Sequence, residues 1–196
     1  MKFNPSINIE LNSPDELRYI PTQNAKSVMG SIVDNFNSGI HSFNIIGSYG
    51  TGKSSFILAL EKNLTEDTDI LISNRGQFNG FKKFQFLNIV GDYAPMMELI
   101  NRKLGYADSS DAKNFFDSFE KYCNSIELKD KFLFIMIDEF GKMLEYAAKN
   151  NPERELYFLQ KFSEFINRPN RNVILITTLH QNFNSYAKKL SQEQKN

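Results

Sequence analysis

The sequence contains a single cysteine, Cys123, and no tryptophan. One cysteine cannot form a disulfide within the chain or build a zinc site, and this usage is typical of a reducing, cytoplasmic setting. The sequence also lacks any run of about 18 apolar residues, and its amino terminus lacks the apolar core of a signal peptide. We therefore expect neither a membrane span nor secretion.

Net charge is missing too, because 23 basic residues balance 23 acidic ones. Balanced charge gives no bulk attraction to nucleic acid or to a membrane, although it leaves a local basic groove open. With 196 residues, 41% of them hydrophobic, the chain is long enough for one domain with a sizeable core. We expect the 18 phenylalanines to fill much of that core.

Four short apolar segments alternate with helical patterns along the chain. The predicted strands are 43–46, 83–90, 131–137 and 172–178, and the predicted helices are 22–37, 53–63, 95–104, 112–126, 141–149, 152–167 and 185–190. This alternation predicts βαβ crossovers and a mainly parallel sheet covered by helices on both faces. We expect a three-layer α/β core over 22–182, after an irregular arm, 1–21, and before a partial helical tail, 183–196.

A glycine-rich motif follows the first predicted strand. Residues 47–54, GSYGTGKS, match the phosphate-binding pattern G-x-x-x-x-G-K-[ST] and lie between a strand and a helix, as that pattern requires. Glycines let the backbone approach an anion closely, while Lys53 can reach the β- and γ-phosphates and the Ser54 hydroxyl can ligate Mg²⁺. The residues predicted to contact the nucleotide are Gly47, Ser48, Tyr49, Gly50, Thr51, Gly52, Lys53, Ser54 and Ser55. The alternative is a turn that only joins strand to helix.

Two carboxylates, Asp138 and Glu139, end the third predicted strand. Carboxylates at the tip of a buried strand are costly to hold without a cation or a water network. We predict that Asp138 binds Mg²⁺ and that Glu139 polarises the attacking water as a general base. The alternative is that one of them caps the next helix.

Polar residues also end the fourth predicted strand. If this strand lies between the phosphate-loop strand and the acidic strand, Thr178 or Thr177 falls near the γ-phosphate and could bind it or the attacking water. His180 and Gln181 lie just beyond and could relay the state of the nucleotide to a neighbour. We expect His41, before the first strand, to be a structural histidine.

Two other P-loop classes fit the sequence poorly. The segment 138–141, DEFG, matches the D-x-x-G of GTPases, but residues 172–182, NVILITTLHQN, hold no N-K-x-D motif for reading guanine. A small-molecule kinase needs an arginine-rich lid, whereas residues 141–167 contain only Arg154. An ATPase core therefore fits best, and a nucleotide-dependent binding module with little hydrolysis stays open as the alternative.

Together these pieces resemble the AAA+ and STAND branch of P-loop ATPases, with Walker A at 47–54, Walker B at 132–139 and a sensor-1 position at 176–178. The segments 18–25, 47–56, 137–148 and 175–187 are similar to ATPase domains of large bacterial proteins associated with defence against phage. The resemblance implies ATP and Mg²⁺ binding, hydrolysis coupled to assembly as a homo-oligomer or within a larger protein, and Lys53, Glu139 and Thr178 as catalytic residues. It also implies that Ile20 and Pro21 lie near the adenine, and that Asn88 or Asp92 holds Glu139 inactive.

The sequence departs from that family after its fourth strand. AAA+ proteins continue with a helical lid carrying an arginine, and they use a second arginine as a finger on the γ-phosphate. No arginine follows Gln181, and Arg168 and Arg171 precede the fourth strand. We therefore expect an additional-strand, AAA+-like fold without a complete lid, from a natural truncation or a piece of a longer protein, and slow hydrolysis by the isolated chain.

Overall fold

The computed structural model describes residues 7–66, 68–106, 112–125, 129–169, 171–182 and Tyr186. Its strands are β1 (Ser42–Ile46), β2 (Phe84–Val90), β3 (Phe132–Asp138) and β4 (Val173–Leu179), and its α-helices are α1 (Gln23–Asn37), α2 (Lys53–Thr65), α3 (Met96–Leu104), α4 (Ala112–Cys123), α5 (Gly141–Asn150) and α6 (Pro152–Ile166). Of the predicted tail helix, 185–190, all but Tyr186 lies outside the described residues. No helix in the described part of the chain is both long enough and apolar enough to cross a bilayer.

The four strands form one parallel sheet in the order β1-β4-β3-β2. The expected extra strand, β4, therefore lies between the phosphate-loop strand and the acidic strand, and this prediction is confirmed. Because all strands run in the same direction, the carboxyl ends of β1, β4 and β3 lie side by side at one edge.

Helices cover both faces of the sheet and make three layers. On one face α1 and α2 pack against Phe132, Phe134 and Met136 of β3. On the other, α3 to α6 pack against the alternate residues of β3 and β4. The two central strands are buried at every position, as their continuous apolar sequence predicts.

Phenylalanines are concentrated in both halves of the core. Phe78 contacts Phe36, Phe132 and Phe134 on the α1–α2 face. Phe115 contacts Phe158 and Phe162 on the opposite face. The prediction of a phenylalanine-rich core is confirmed.

The amino-terminal arm is irregular apart from one turn of 3-10 helix, Pro14–Glu16, but it is anchored to the domain. Ile9 is buried with the residues of α1 and α2, and its carbonyl accepts a hydrogen bond from Asn88 Nδ2 at 3.2 Å. Lys62 Nζ donates to the carbonyl of Asp15 at 2.8 Å. The sequence-based prediction missed this anchoring, because a single apolar residue in a polar segment has no periodicity.

His41 is a structural histidine, as expected. Its side chain is buried, and Nδ1 donates a hydrogen bond to the carbonyl of Val173 at 2.9 Å. Burial lowers the pKa of His41, and the hydrogen bond to Val173 only partly offsets that effect.

This lowered pKa predicts that the protein loses stability in mild acid. The unfolded chain binds a proton at His41 more readily than the folded chain does, so the stabilisation is complete above the unfolded pKa of about 6.5 and is lost as the pH falls below it. Urea unfolding at about pH 7.5 and pH 5.5 should show a smaller pH dependence for His41→Gln than for the wild type. Equal pH dependence in the two chains would contradict a neutral, buried His41.

Candidate functional site

The glycine-rich loop connects the end of β1 to the start of α2. Its first amide, Gly47 N, donates to the carbonyl of Leu179 at 3.1 Å and fixes the loop to the end of β4. Gly50 and Gly52 have φ angles of 76° and 84°, in the left-handed region that glycine tolerates best. These two residues let the backbone curl over the strand ends.

The amino terminus of α2 is open to an anion. Gly52 occupies the N-cap position, where no side chain accepts a hydrogen bond from the first turn. The amide groups of that turn therefore need an outside acceptor, and the helix dipole favours a negative one. Ser54 and Ser55 lie in this turn and are partly exposed.

Lys53 places its amine inside the loop. The side chain is buried, and Nζ donates to the carbonyls of Gly47 at 2.7 Å and Ser48 at 3.0 Å. Burial lowers the pKa of Lys53, while the charges of Asp138 and Glu139 oppose that shift.

His180 lies against the same amine and stacks on Tyr49. Lys53 Nζ lies 3.3 Å from His180 Nδ1, which accepts if the lysine carries its proton. The imidazole stacks on the exposed ring of Tyr49, with ring centroids 3.6 Å apart and planes 20° from parallel. Burial, and then the positive charge of Lys53, lower the pKa of His180. The prediction placed His180 near the site but missed its contact with Lys53, because only the folded strand end brings them together.

One oxygen of the buried Asp138 carboxylate accepts two hydrogen bonds. Asp138 Oδ1 accepts hydrogen bonds from Thr178 Oγ1 at 2.5 Å and from the amide of Glu139 at 3.0 Å. The Glu139 amide also points at Thr178 Oγ1, 3.1 Å away. The Thr178 hydroxyl and the Glu139 amide together orient the Asp138 carboxylate. Their hydrogen bonds offset part of the free-energy cost of burying it.

Of the two candidate threonines, the structure brings Thr178 to the site. Side chains alternate along a strand, so the neighbouring Thr177 faces the other side of the sheet. The Thr177 hydroxyl donates to the carbonyl of Phe43 at 3.4 Å and to Asn44 Oδ1. The Thr178 hydroxyl is directed at Asp138, so its role as a direct ligand of phosphate or water stays a prediction.

Glu139 has an unusual backbone and a defined side-chain partner. Its φ angle is 53°, a conformation that costs a non-glycine residue on the order of 1 kcal/mol or more and that clusters at functional sites. Its Oε2 lies 2.5 Å from Lys142 Nζ, in the first turn of α5. The N-cap of α5 is Phe140, with no side-chain capping bond, so the alternative that a carboxylate caps this helix is wrong.

Asn88 and Asp92 do not hold Glu139, and this expectation is wrong. Asn88 lies within β2, and its Nδ2 donates to Glu61 Oε2 at 2.7 Å on the α2 side of the sheet. Asp92 Oδ1 accepts a hydrogen bond from the amide of Tyr93 at 2.7 Å. The ionic partner of Glu139 comes instead from the helix that follows it.

Arg168 and Arg171 lie at the amino end of β4, opposite the phosphate loop. The Arg171 guanidinium pairs with Glu120 and lies 4.3 Å from the ring centre of Phe165. Arg168 covers the same ring at 4.9 Å. Neither can act as an arginine finger on a phosphate bound in the same chain's loop.

The residues present fit a magnesium ion together with a nucleotide. Mg²⁺ prefers oxygen ligands and is commonly held by one or two protein oxygens plus phosphates and water. Asp138 supplies a carboxylate at the end of β3, and Ser54 supplies a hydroxyl at the start of α2. The loop that precedes Ser54 has free space beside it, since a Cβ built at Gly50 or Gly52 would meet nothing within 4 Å.

Gly91 lets β2 approach the acidic strand end closely. Its amide donates to the carbonyl of Asp138 at 2.7 Å. A Cβ placed there would lie 2.9 Å from the carbonyl carbon of Glu139 and 3.0 Å from the carbonyl oxygen of Asp138. Both are backbone atoms that cannot move without displacing the two carboxylates.

Replacing Gly91 with alanine should therefore destabilise the domain by about 1–3 kcal/mol, as overpacking does elsewhere. The matched control is Gly30→Ala in α1, where a Cβ meets nothing within 4 Å and alanine should stabilise the helix by up to about 1 kcal/mol. Urea unfolding of the three chains measures both effects. If Gly91→Ala were as stable as the wild type, the close backbone approach would be ruled out.

Comparisons with known proteins support the architecture. No family model and no curated protein matches the sequence. Among solved structures, the chain is similar to the ORC2 protein of Aeropyrum pernix in its ADP form, with a TM-score of 0.55, 20% identity and coverage of 95% of this chain and 48% of that chain. It is also similar to C. elegans PCH-2, with a TM-score of 0.53, 16% identity and coverage of 87% and 42%. A third similar structure is Drosophila ORC bound to DNA, with a TM-score of 0.50, 13% identity and coverage of 82% and 38%.

The chain thus spans about half or less of the length of these proteins. At such low identity the likeness concerns the fold. The chain shares the α/β fold of these proteins, and its sheet is all parallel.

Proposed function

We propose that this chain is the ATP-binding, Mg²⁺-dependent ATP-hydrolysing core of an AAA+-like protein. The observation that carries the proposal is the meeting of two motifs at one edge of the sheet. The amine of Lys53 lies in the phosphate loop, 3.3 Å from Nδ1 of His180, which follows β4. Thr178 of the same strand bonds Asp138 at the end of β3. A turn that merely joined strand to helix would need neither the buried lysine nor the buried aspartate.

The loop residues 47–55 would hold the phosphates. Amides of the uncapped first turn of α2 provide donors, and Lys53 would exchange its carbonyl partners for the β- and γ-phosphate oxygens. The carbonyls of Gly47 and Ser48 keep the amine in place before the nucleotide arrives.

Ser54 and Asp138 would hold Mg²⁺, with Asp138 acting through a water. The ion, when bound, neutralises charge on the phosphates. Thr178 and the Glu139 amide keep the Asp138 carboxylate oriented for this task. Thr178 would therefore act chiefly by positioning Asp138. Its predicted contact with the phosphate or the attacking water would be a second role.

Glu139 would act as the general base. A water oxygen attacks the γ-phosphorus while the bond to the β–γ bridging oxygen breaks, and the proton of the water passes to the Glu139 carboxylate. The electron pair of the broken bond stays on the bridging oxygen. The products are ADP and inorganic phosphate, so the atoms balance without another reactant.

Adenine is the proposed base. No guanine-reading motif follows the sheet, and the Aeropyrum pernix ORC2 protein has been solved in an ADP form and in ADPNP–ADP complexes. Ile20 is an apolar side chain 89% exposed at the entry to α1, beside the partly buried Pro21. A purine ring lying against Ile20 would cover this apolar surface.

We further propose that the chain works within a larger, cytoplasmic assembly of the kind associated with phage defence. The local similarity of segments such as 137–148 to ATPase domains of such proteins supports this setting. Among the residues that the structure describes, Lys53 lies in the loop and Lys142 pairs with Glu139. An arginine finger from a neighbour would complete the site, because such a finger is worth about 10³–10⁵ in rate.

A second candidate function is a nucleotide-dependent switch with little hydrolysis. The observation that favours it is the ion pair between Glu139 and Lys142, which occupies the general base. The two candidates share the nucleotide site and differ in turnover.

The experiment that separates them is ATP turnover by the purified 196-residue chain. Phosphate release should be slow, well below one per second, and should stop when EDTA removes Mg²⁺. Release of several phosphates per second would contradict the need for a neighbour. Tight ATP binding without any release would favour the switch.

A further inference from the structure

A cavity of about 230 Å³ lies at the amino ends of the two central strands, on the edge of the sheet opposite the phosphate loop. Lys131 directly precedes β3, Arg171 lies two residues before β4, and Cys123 is the last residue of α4. The polar residues that line the cavity are Cys123, Asn124, Lys129, Lys131, Arg171 and Asn172. Three chain segments that are distant in sequence therefore contribute to one recess.

The charge of this recess is positive. Lys129, Lys131 and Arg171 are cations, and none of the described lining residues is an acid. Glu120 lies beside the cavity and pairs with Arg171, while Asp130 is exposed between the two lysines and does not line the cavity. Like charges gathered around one recess repel one another, and an anion bound between them would relieve that repulsion.

The guanidinium of Arg171 is held in place before any ligand arrives. One of its terminal nitrogens pairs with Glu120, its centre lies 4.3 Å from the ring centre of Phe165, and the side chain is 15% exposed. A guanidinium has five N–H donors, and stacking on a ring uses none of them. Arg171 therefore keeps donors for the oxygens of an anion, and its planar fork suits phosphate.

The two lysines also have donors to spare. Lys131 Nζ donates to Gln85 Oε1 at 3.2 Å, which uses one of its three N–H groups. Lys129 is exposed, and in the described part of the chain no carboxylate lies within ion-pair distance of it. The ammonium groups can therefore turn to a ligand in the cavity without breaking an ion pair.

The size and charge of the cavity indicate a small, multiply charged anion. Its volume is below the range of about 300–1,000 Å³ that is typical of sites for drug-sized ligands. A phosphate monoester carries close to two negative charges at pH 7 and offers three terminal oxygens as acceptors. A single carboxylate would leave more of the charge of the three cations without a counter-charge.

The basic surface continues beyond the cavity. Lys82 and Lys83 are exposed just before β2, and the carbonyl of Lys83 accepts a hydrogen bond from the amide of Phe132 at 2.9 Å. These lysines thus lie on the same edge of the sheet as Lys131. A chain of phosphates would meet further cations along this edge, whereas a single phosphate would use the cavity alone.

We propose that this cavity is an anion site that binds a phosphate group through Arg171, Lys131 and Lys129. The phosphate belongs either to a small phosphate compound or to a nucleic-acid backbone, because both present the same oxygens to the cavity. The inference does not depend on the proposed ATPase, since the two sites lie at opposite edges of the sheet.

Cys123 provides a readout that is confined to this cavity, because it is the only cysteine of the chain. Burial raises the pKa of Cys123 to about 12, so the thiol reacts slowly and its modification can be followed in time. The experiment measures the rate at which a neutral methanethiosulfonate modifies Cys123 in the full chain, by mass spectrometry and at constant ionic strength. A phosphate bound between the cations would cover the thiol and slow this reaction.

Inorganic phosphate at millimolar concentration should slow the modification of Cys123 about fivefold or more. In the double variant Lys129→Gln, Lys131→Gln, half-maximal protection should need about tenfold more phosphate, as expected when charge-assisted hydrogen bonds are lost. The matched control is Lys149→Gln, which removes an exposed lysine beside Asn150, a neighbour of Tyr93 beyond the carboxyl end of β2. This variant should be protected like the wild type.

A second arm replaces inorganic phosphate by a short oligothymidylate. Protection at a lower phosphate concentration than inorganic phosphate requires, lost in the double variant, would support the site with a nucleic-acid backbone as the source. Protection by inorganic phosphate alone would support the site with a small compound as the source. Lys53→Ala should be protected like the wild type in either case, because the phosphate loop lies at the other edge.

Three results would overturn the inference. The first is a modification rate that neither inorganic phosphate at tens of millimolar nor the oligonucleotide changes. The second is equal protection of the wild type and the double variant, with both chains folded by circular dichroism. The third is protection that disappears in Lys53→Ala, which would assign the effect to the nucleotide site and leave the proposed ATPase standing.

Discussion

Replacing Lys53 with alanine should weaken ATP binding about a hundredfold. The amine would form charge-assisted hydrogen bonds to the β- and γ-phosphates, and such bonds contribute about 1.5–3 kcal/mol each. In the structure the same amine is buried and bonded to the loop carbonyls of Gly47 and Ser48, so it is already at the place where phosphate would bind. Equilibrium titration of both chains with labelled ATP and Mg²⁺ measures the loss.

The control is Lys62→Ala, in the last turn of the same helix. Lys62 pairs with Glu66 and donates to the carbonyl of Asp15, far along α2 from the loop. The Lys62→Ala substitution removes the same charge from the same helix as Lys53→Ala does. Because Lys62 lies far from the loop, ATP affinity should stay within about threefold of the wild type. Equal loss in both variants would mean that charge on α2, and not the loop lysine, attracts the nucleotide.

Glu139→Gln should lower ATP turnover by about 10²–10⁴ while leaving ATP affinity nearly unchanged. General-base catalysis is worth about this factor, and glutamine keeps the size of the side chain but cannot take the proton. The backbone bonds that set the left-handed turn come from the amide of Glu139, so the substitution preserves them. Single-turnover measurements with labelled ATP separate this chemical step from binding.

Glu153→Gln provides the comparison, since Glu153 is an exposed carboxylate in the first turn of α6. It should hydrolyse ATP at the wild-type rate. If Glu139→Gln did the same, Glu139 would not be the base, and the chain would need another group to accept the proton.

Strand ends were the part of the site that sequence could predict. The glycine-rich loop, the start of α2 at Lys53 and the end of β3 at Asp138 lie where local pattern placed them. Continuous apolar runs indicated central parallel strands, and the expected position of β4 between β1 and β3 brought Thr178 or Thr177 to this edge. The bond between Thr178 and Asp138 came from the structure. These features depend on short-range periodicity and on the common direction of parallel strands.

Side-chain partners at the same edge could not be predicted. The stack of Tyr49 on His180 joins residues from two loops, and its geometry depends on rotamers that sequence does not specify. The pair of Glu139 with Lys142 depends on a left-handed backbone angle at a non-glycine residue, for which sequence has no signal. Asn88 was assigned to Glu139, whereas its partner is Glu61. The sequence did not show which face of β2 carries Asn88, because that depends on how β2 pairs with β3.

Calorimetric titration of the wild-type chain with ATP and Mg²⁺ is the most direct test of the proposal that the loop and the acidic strand end form a nucleotide site. We expect one site per chain with micromolar affinity, and much weaker binding in Lys53→Ala. A chain that is folded by circular dichroism, yet takes up neither ATP nor ADP at millimolar concentration, would show that the loop and the acidic strand end do not form a nucleotide site.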